Sequence, residues 1–195
     1  MRRSELCKPL RRALACASAS GLTVVAACVP PIAMAADCPQ LVGWVEPVTV
    51  AGRMMEAKLD TGAQTSSVDA RDIGHFDREG RPWVRFRLGP RRNDPAKIAR
   101  GSGRETTDDA IIEAPVVRRA QIKRAGAPTE RRLVVTLPMC LAGVSAETEF
   151  TLSDRAALEY SVLIGRAALG KLAIDATRTH VTAGGCPSGV PKTAH

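Results

Sequence analysis

The sequence predicts a mainly β, barrel-like domain with one short helix near the C-terminus, and three observations carry this prediction. Short runs of alternating apolar and polar residues recur along residues 41–175. Turn signals rich in Gly, Pro and Asp separate these runs, and helical patterns are few. Many short strands with little helix are typical of a β-sandwich or barrel. The length of 195 residues is enough for one such domain with extensions at its ends.

Residues 1–35 have the organisation of a secretion signal. The first twelve positions carry five basic residues and one acidic residue, and an uncharged stretch of small apolar residues follows at 13–29. Two prolines end that stretch, and small residues before Ala36 offer a cleavage site. The stretch lacks the bulky residues of a stable membrane anchor. We therefore expect cleavage near Ala35 and a periplasmic or secreted protein.

A lipoprotein signal is the second-ranked interpretation of the same region. Val25-Ala26-Ala27-Cys28 loosely fits such a signal, with Cys28 as the acylated residue. Only in this case is a membrane an expected partner.

Charge and aromatic content argue against a nucleic-acid partner. The net charge of +8 falls to +4 when residues 1–35 are removed, and this mild charge favours solubility over a nucleic-acid groove. Aromatic residues make up 3% of the chain, so stacking surfaces for single strands are scarce.

Three of the six cysteines follow the predicted signal, at Cys38, Cys140 and Cys186. An exported protein meets an oxidising compartment, so we expect one disulfide and one remaining thiol. Cys38 with Cys186 would join the ends of the domain, and Cys140 with either is the alternative. The spacings contain no CxxC pair, which argues against a zinc cluster.

The predicted strands of the first half follow a linker at residues 36–40 and lead to one polar loop. In order they are residues 41–50, 53–59, 66–70 and 82–88. Pro47 suits a sheet edge. The second strand alternates outward polar and inward apolar residues and delivers Asp60 to its loop.

The second half begins with a polar segment that has no period, residues 89–107, which predicts a mobile loop. The predicted strands that follow are residues 111–123, 131–137, 147–152, 160–164 and 172–175, with a turn at 126–128. Ser153-Asp154 is expected to cap a short helical turn through Glu159. The pattern of residues 166–171 predicts the short helix near the C-terminus, and we expect residues 184–195 to form a tail.

The loop after the second strand, Asp60-Thr61-Gly62-Ala63, is the candidate catalytic loop. The strand end positions the carboxylate, Thr61 can hydrogen-bond within the loop, and Gly62 lets the backbone approach closely. The alternative is an ordinary polar turn, since Asp, Thr and Gly are common turn residues.

Two stretches, Leu59-Asp60-Thr61-Gly62-Ala63 and residues 162–169, resemble the catalytic loop and the Gly-Arg segment of the retropepsin-like aspartic peptidases. The chain is most similar to the bacterial branch often labelled an ATP-dependent zinc protease. The matching stretches are residues 42–48, 58–67, 152–155 and 160–169. The resemblance covers residues 41–183 and implies a closed β-barrel with one short C-terminal helix, acting as a homodimer.

The resemblance implies an exported aspartic endopeptidase that acts on peptides or unfolded proteins. Such enzymes use two facing carboxylates that share a proton. Because the chain has one Asp-Thr-Gly, Asp60 must meet Asp60 of a second copy. The alternative is a non-catalytic periplasmic module that binds peptides or proteins on the same barrel.

Arg166 occupies the position where retroviral relatives have an Arg that braces the catalytic loop by pairing with an Asp. Gln64 stands in place of that Asp. We expect Arg166 to hydrogen-bond Gln64 or to pair elsewhere, for example with Asp175, and a solvated Arg is the alternative.

No metal or cofactor is expected, although the label of the bacterial branch mentions zinc and ATP. The chain has three histidines and neither an HExxH nor a GxxxxGK[ST] motif. The flap over the substrate is expected around residues 83–117. Four arginines in this region are expected to form a solvated face, with selection of acidic substrates as the alternative: Arg85, Arg87, Arg91 and Arg92.

Overall fold

The computed structural model describes residues 39–89, 110–124, 126–170 and 172–182. Its strands are β1 (Gln40–Gly43), β2 (Val45–Val50), β3 (Arg53–Asp60), β4 (Ser66–Arg78), β5 (Arg81–Leu88), β6 (Ile112–Pro115), β7 (Arg118–Arg124), β8 (Ala127–Leu141), β9 (Val144–Ser153), β10 (Val162–Gly165) and β11 (Leu172–Asp175), and its helix is α1 (Arg166–Leu169). Within these ranges no helix has the length and apolar character needed to cross a bilayer.

Several predicted segments lie outside the described residues. They are the signal at 1–35 with Cys28, most of the linker with Cys38, the loop centre with Arg91 and Arg92, and the tail with Cys186.

Six strands close into a barrel in the order β10-β3-β2-β8-β9-β4, and β4 returns to pair with β10. Strand β10 closes it by lying parallel to β3 and antiparallel to β4. The prediction of a mainly β, closed barrel with one short helix near its C-terminus is confirmed.

The barrel interior is filled by alternate residues of its strands. On β3, Met55, Ala57 and Leu59 are buried, whereas the residues between them are half-buried or exposed. Phe150 of β9 and Ile164 of β10 are fully buried in the same cluster. This period of two is what the sequence showed for residues 53–59, because only one face of that strand meets the core.

Two hairpins extend the barrel. Strand β4 continues past its barrel partners and pairs with β5, and β5 pairs with β6. An irregularity at Asp72, whose φ is +54°, interrupts the β4–β5 ladder and bends the long strand. The second hairpin joins β7 to β8, which is fifteen residues long.

The predicted strand at residues 41–50 is in fact two strands that break at Trp44. Trp44 N donates to Arg178 O at 2.9 Å, so the chain leaves the ladder at this residue. Strand β1 pairs with β11 in a separate two-stranded sheet, and β2 joins the barrel. Pro47 lies outside the stretch of β2 that pairs with β8, as its missing N–H requires.

Three other local predictions differ from the structure in part. Residues 127 and 128 belong to β8, because Gly126, with φ +74°, takes the turn. Residues 154–159 form one hydrogen-bonded turn, in which Leu158 N donates to Arg155 O and Asp154 Oδ1 accepts Ala156 N, but no helix. The helix at 166–171 ends at Leu169, before Gly170 with φ +51°.

Candidate active site

The Asp60 loop, residues 60–65, begins where β3 ends. Asp60 is half-buried, and its Oδ1 accepts the N–H of Gly62 at 2.9 Å and the N–H of Ala63 at 3.3 Å. A Cβ on residue 62 would lie 3.1 Å from that oxygen, so glycine leaves it room. Among the described residues, Oδ2 of Asp60 accepts no hydrogen bond, and the Thr61 side chain donates none within the loop. One carboxylate oxygen is thus fixed and the other is open.

Strand β10 and helix α1 support the loop from beneath. Gly165 faces Asp60 across the parallel pair. Arg166 N donates to Ala63 O at 2.9 Å, and Gly165 N donates to Ser66 Oγ at 3.1 Å. A Cβ on residue 165 would come within 2.7 Å of the backbone carbon of Thr65, so only glycine allows this approach.

Arg166 forms a hydrogen bond with Gln64, which is one of the two arrangements expected from the sequence. Arg166 Nε donates to Gln64 Oε1 at 2.7 Å, and Ala167 N adds a bond to Gln64 O at 3.2 Å. The carboxylate of Asp175 instead accepts the hydroxyl and the N–H of Thr177. The amide at position 64 therefore ties the loop to α1 without an ion pair.

Arg118, the first residue of β7, also reaches the Asp60 loop, and no local sequence signal identified it. Its Nη2 lies 3.3 Å from Thr65 Oγ1 and 2.7 Å from Glu149 Oε2. Through Arg118, the β7–β8 hairpin thus contacts the Asp60 loop. The flap was expected around residues 83–117, and the central part of that segment, residues 90–109, lies outside the described residues.

Arg85 and Arg87, the two arginines of the predicted basic face that lie within the described residues, contact other residues of the β4–β5 hairpin. Arg87 Nε is 3.7 Å from Asp72 Oδ2, and the Arg85 guanidinium lies 5.9 Å from the Phe76 ring centre. These contacts do not join the Asp60 loop.

Within the described ranges no group of three or more His, Cys, Asp or Glu side chains is placed to hold a metal ion. His180 Nε2 lies 2.8 Å from Glu56 Oε2. Cys140 is fully buried and disulfide-bonded, and its candidate partners Cys38 and Cys186 lie outside the described residues.

A model of the RimB-like family, described as retropepsin-like aspartic endopeptidase RimB, matches residues 41–183. The chain belongs to this family. A crystal structure of a protein of unknown function from Legionella pneumophila, Lpg0085, has a similar fold, with a TM-score of 0.56 and 26% identity. That match covers 73% of this chain and 97% of the Legionella chain.

Curated relatives of the chain carry the name "Probable alpha-L-glutamate ligase". The protein from Shewanella pealeana is 37% identical over 115 residues, which are 59% of this chain and 23% of the relative. The protein from Desulfotalea psychrophila is 34% identical over 122 residues, 62% of this chain and 24% of the relative. The chain thus spans about a quarter of the length of these relatives.

Proposed function

We propose that this RimB-like chain is an aspartic endopeptidase whose catalytic carboxylate is Asp60. One observation carries the proposal: Oδ1 of Asp60 is fixed by two backbone N–H groups while Oδ2 is open. The loop gains its rigidity from β10, α1 and the Arg166–Gln64 bond rather than from bonds to Oδ2. A carboxylate held in this way is oriented and still free to accept a proton.

The proposed mechanism needs a second copy of the chain. Two Asp60 carboxylates in close contact cannot both ionise, so one is neutral and the other charged. The charged group takes a proton from a water molecule as the water attacks the peptide carbonyl. The neutral group donates a hydrogen bond to the oxygen that becomes negative. A homodimer with its two-fold axis beside the Asp60 loops is the arrangement that supplies both groups.

Acidic peptides are the proposed substrate class. The relatives named as glutamate ligases connect this domain with glutamate, and Arg118 places a cation against Thr65 of the loop. The Glu149 carboxylate neutralises Arg118 in the free protein, so a substrate carboxylate would compete for the same guanidinium. We propose that the chain acts after export, following removal of residues 1–35.

The test is hydrolysis of a mixed peptide library that includes glutamate-rich sequences, from about pH 4 to 7, a range that includes the upper pKa of about 4.7 known for such a carboxylate pair. We expect Asp60→Asn to lower kcat/KM by about a thousandfold or more, the scale of a lost general acid or base. The fold should survive, because the amide oxygen of Asn can still accept the Gly62 N–H.

Asp77→Asn is the matched control for this experiment. Asp77 is an exposed turn carboxylate whose Oδ1 accepts Gly80 N at 2.8 Å, so the substitution makes the same chemical change in a similar turn. Equal loss in both variants, or full activity of Asp60→Asn, would rule out the catalytic role of Asp60.

A non-catalytic peptide-binding module is the second candidate function. It is favoured by the match to only 23% to 25% of the length of the curated relatives, because a module within a larger enzyme can hold a substrate without cleaving it. This candidate predicts that the protein is a monomer, so that the Asp60 loops of two copies never meet. Sedimentation that shows a stable dimer, together with cleavage that depends on Asp60, would reject it.

A further inference from the structure

A cavity of about 520 Å³ lies outside the Asp60 loop, between the distal part of β4, the β7–β8 hairpin and the end of β9. Its walls combine a few apolar side chains with several charged ones. Ile73, Leu133 and Leu152 contribute the apolar part, and Ile73 is 38% exposed. None of the residues that support Asp60 lines this cavity.

Two arginines on one face of the β7–β8 hairpin supply positive charge and have no partner among the described residues. Arg119 faces Leu133 across the ladder, and Arg131 faces Gln121 two positions along, so both side chains flank Leu133. Both are exposed and line the cavity. Neither makes a hydrogen bond or ion pair with a residue in the described ranges.

The remaining charges of the cavity are already engaged. Arg132 donates two hydrogen bonds to the Glu130 carboxylate, at 2.8 and 2.6 Å. Oδ1 of Asp154 accepts the N–H of Ala156 at 2.9 Å. Among the described residues, Arg119 and Arg131 are therefore the cations of the cavity that have no carboxylate partner.

A buried hydroxyl adds an independent sign of a ligand. Ser153 ends β9, lines the cavity and is 4% exposed. Its Oγ is buried and has no hydrogen-bond partner. Buried polar groups in proteins are nearly always bonded, and a ligand oxygen in the cavity would accept from this donor.

We propose that this cavity is an exosite that binds side-chain carboxylates of an acidic peptide, with Arg119, Arg131 and Ser153 as its donors. Guanidinium groups bind carboxylates in a bidentate manner. The apolar wall of Ile73 and Leu133 suits the methylene groups of glutamate. The choice of an acidic peptide as ligand rests on the proposed function, whereas the anion site itself rests on the cavity.

The position of the cavity on β7 relates it to the catalytic loop. Arg118 contacts Thr65 of that loop, and Arg119 is the next residue of the same strand, with its side chain on the opposite face. One acidic chain would thus pass from the exosite around the edge of the hairpin to Asp60. The exosite would hold the substrate while residues nearer Asp60 are cleaved.

The test measures binding of fluorescently labelled hexaglutamate to the full chain carrying Asp60→Asn, so that cleavage does not interfere. We expect Arg119→Gln with Arg131→Gln to raise Kd about tenfold, the scale of one to two charge-assisted contacts. Ser153→Ala should raise Kd about threefold and leave the unfolding temperature unchanged or higher, since it removes an unbonded polar group.

The matched control pairs Arg81→Gln with Arg178→Gln, two exposed arginines outside the cavity, which removes the same charge. An equal rise in Kd for the control pair would assign the effect to net charge and overturn the exosite. Labelled hexaglutamine serves as the uncharged probe, and binding as tight as that of hexaglutamate would also overturn it. Displacement of the peptide by an equal concentration of inorganic phosphate would show a small-anion site only.

These outcomes separate the exosite from the catalytic proposal. Cleavage that depends on Asp60, with hexaglutamate binding unaffected by the cavity variants, would reject the exosite alone. Binding that depends on Arg119 and Arg131, without cleavage by the unsubstituted chain, would reject the peptidase alone.

Discussion

Two regions of the molecule, the Asp60 loop and the turn after Asp175, share nearly the same backbone plan. Each aspartate ends a strand of a parallel pair and faces a glycine across it, Gly165 for Asp60 and Gly43 for Asp175. In each, Oδ1 accepts the N–H of the residue two positions on, at 2.9 Å. Both glycines are required by close backbone approach.

The two carboxylates differ in what else they bond. The hydroxyl of Thr177 donates to Asp175 Oδ1 at 2.6 Å, and this bond, with the Thr177 N–H, lowers the pKa of Asp175. At Asp60 the neighbouring threonine does not bond the carboxylate, and the loop is tied instead to α1 and Arg118. The Thr177 hydroxyl thus favours the anionic form of Asp175, whereas Asp60 accepts backbone N–H groups through Oδ1 and its Oδ2 is open among the described residues.

The first prediction sharpens this comparison through the two glycines. A Cβ at residue 43 would lie 2.6 Å from Arg178 O, and one at residue 165 would lie 2.7 Å from Thr65 C. We expect Gly43→Ala and Gly165→Ala each to lower the free energy of unfolding by about 1–3 kcal/mol, the usual cost of overpacking. Urea unfolding measures both changes.

Only Gly165→Ala should also impair hydrolysis, because the displaced backbone belongs to the Asp60 loop. We expect kcat/KM to fall about a hundredfold when that loop moves by an ångström, at a temperature where both variants are folded. Gly43→Ala is the control for lost stability. A similar loss of activity in both variants would break the distinction between the two regions.

The second prediction concerns the Arg166–Gln64 hydrogen bond, which braces the Asp60 loop. A double-mutant cycle of Arg166→Ala and Gln64→Ala should give a coupling energy of about 0.5 kcal/mol, since both side chains are exposed. Each single variant should lower kcat several-fold and leave KM nearly unchanged, because the brace orients Asp60 without touching substrate. A change confined to KM would contradict this positioning role.

Local pattern was sufficient to predict the barrel class and the end of β3. The alternation in residues 53–59 fixed which residues face the core, and the polar Asp60-Thr61-Gly62 sequence marked the strand end. Both features depend on neighbours in the sequence. The same local signals occur at Asp175, however, so they did not by themselves separate a loop that other elements support from a self-contained turn.

Features that depend on pairing between distant segments were not predictable. Trp44 breaks the first predicted strand because Arg178, far along the chain, accepts its N–H. Arg118 meets Thr65 because β7 pairs with β8 in one particular register. A one-residue slip would turn Arg118 away and present Arg119 instead, and no local signal fixes that register.

The last prediction tests whether the Thr177 hydroxyl is the cause of the lowered pKa of Asp175. Its side-chain bond is the largest cause of the lowered pKa, followed by its backbone bond. Thr177→Val removes the hydroxyl, so the pKa of Asp175 should rise toward its ordinary value, measured by an NMR titration of the carboxyl carbon. A lowered folded-state pKa contributes stability above the unfolded-state pKa, and this contribution is lost as pH falls through the folded-state value. The stability difference between Thr177→Val and the unsubstituted chain should therefore shrink below about pH 4, with hydrolysis unchanged because Asp175 is separate from the Asp60 loop. An unaltered titration of Asp175 would contradict the assignment of its lowered pKa to the Thr177 hydroxyl.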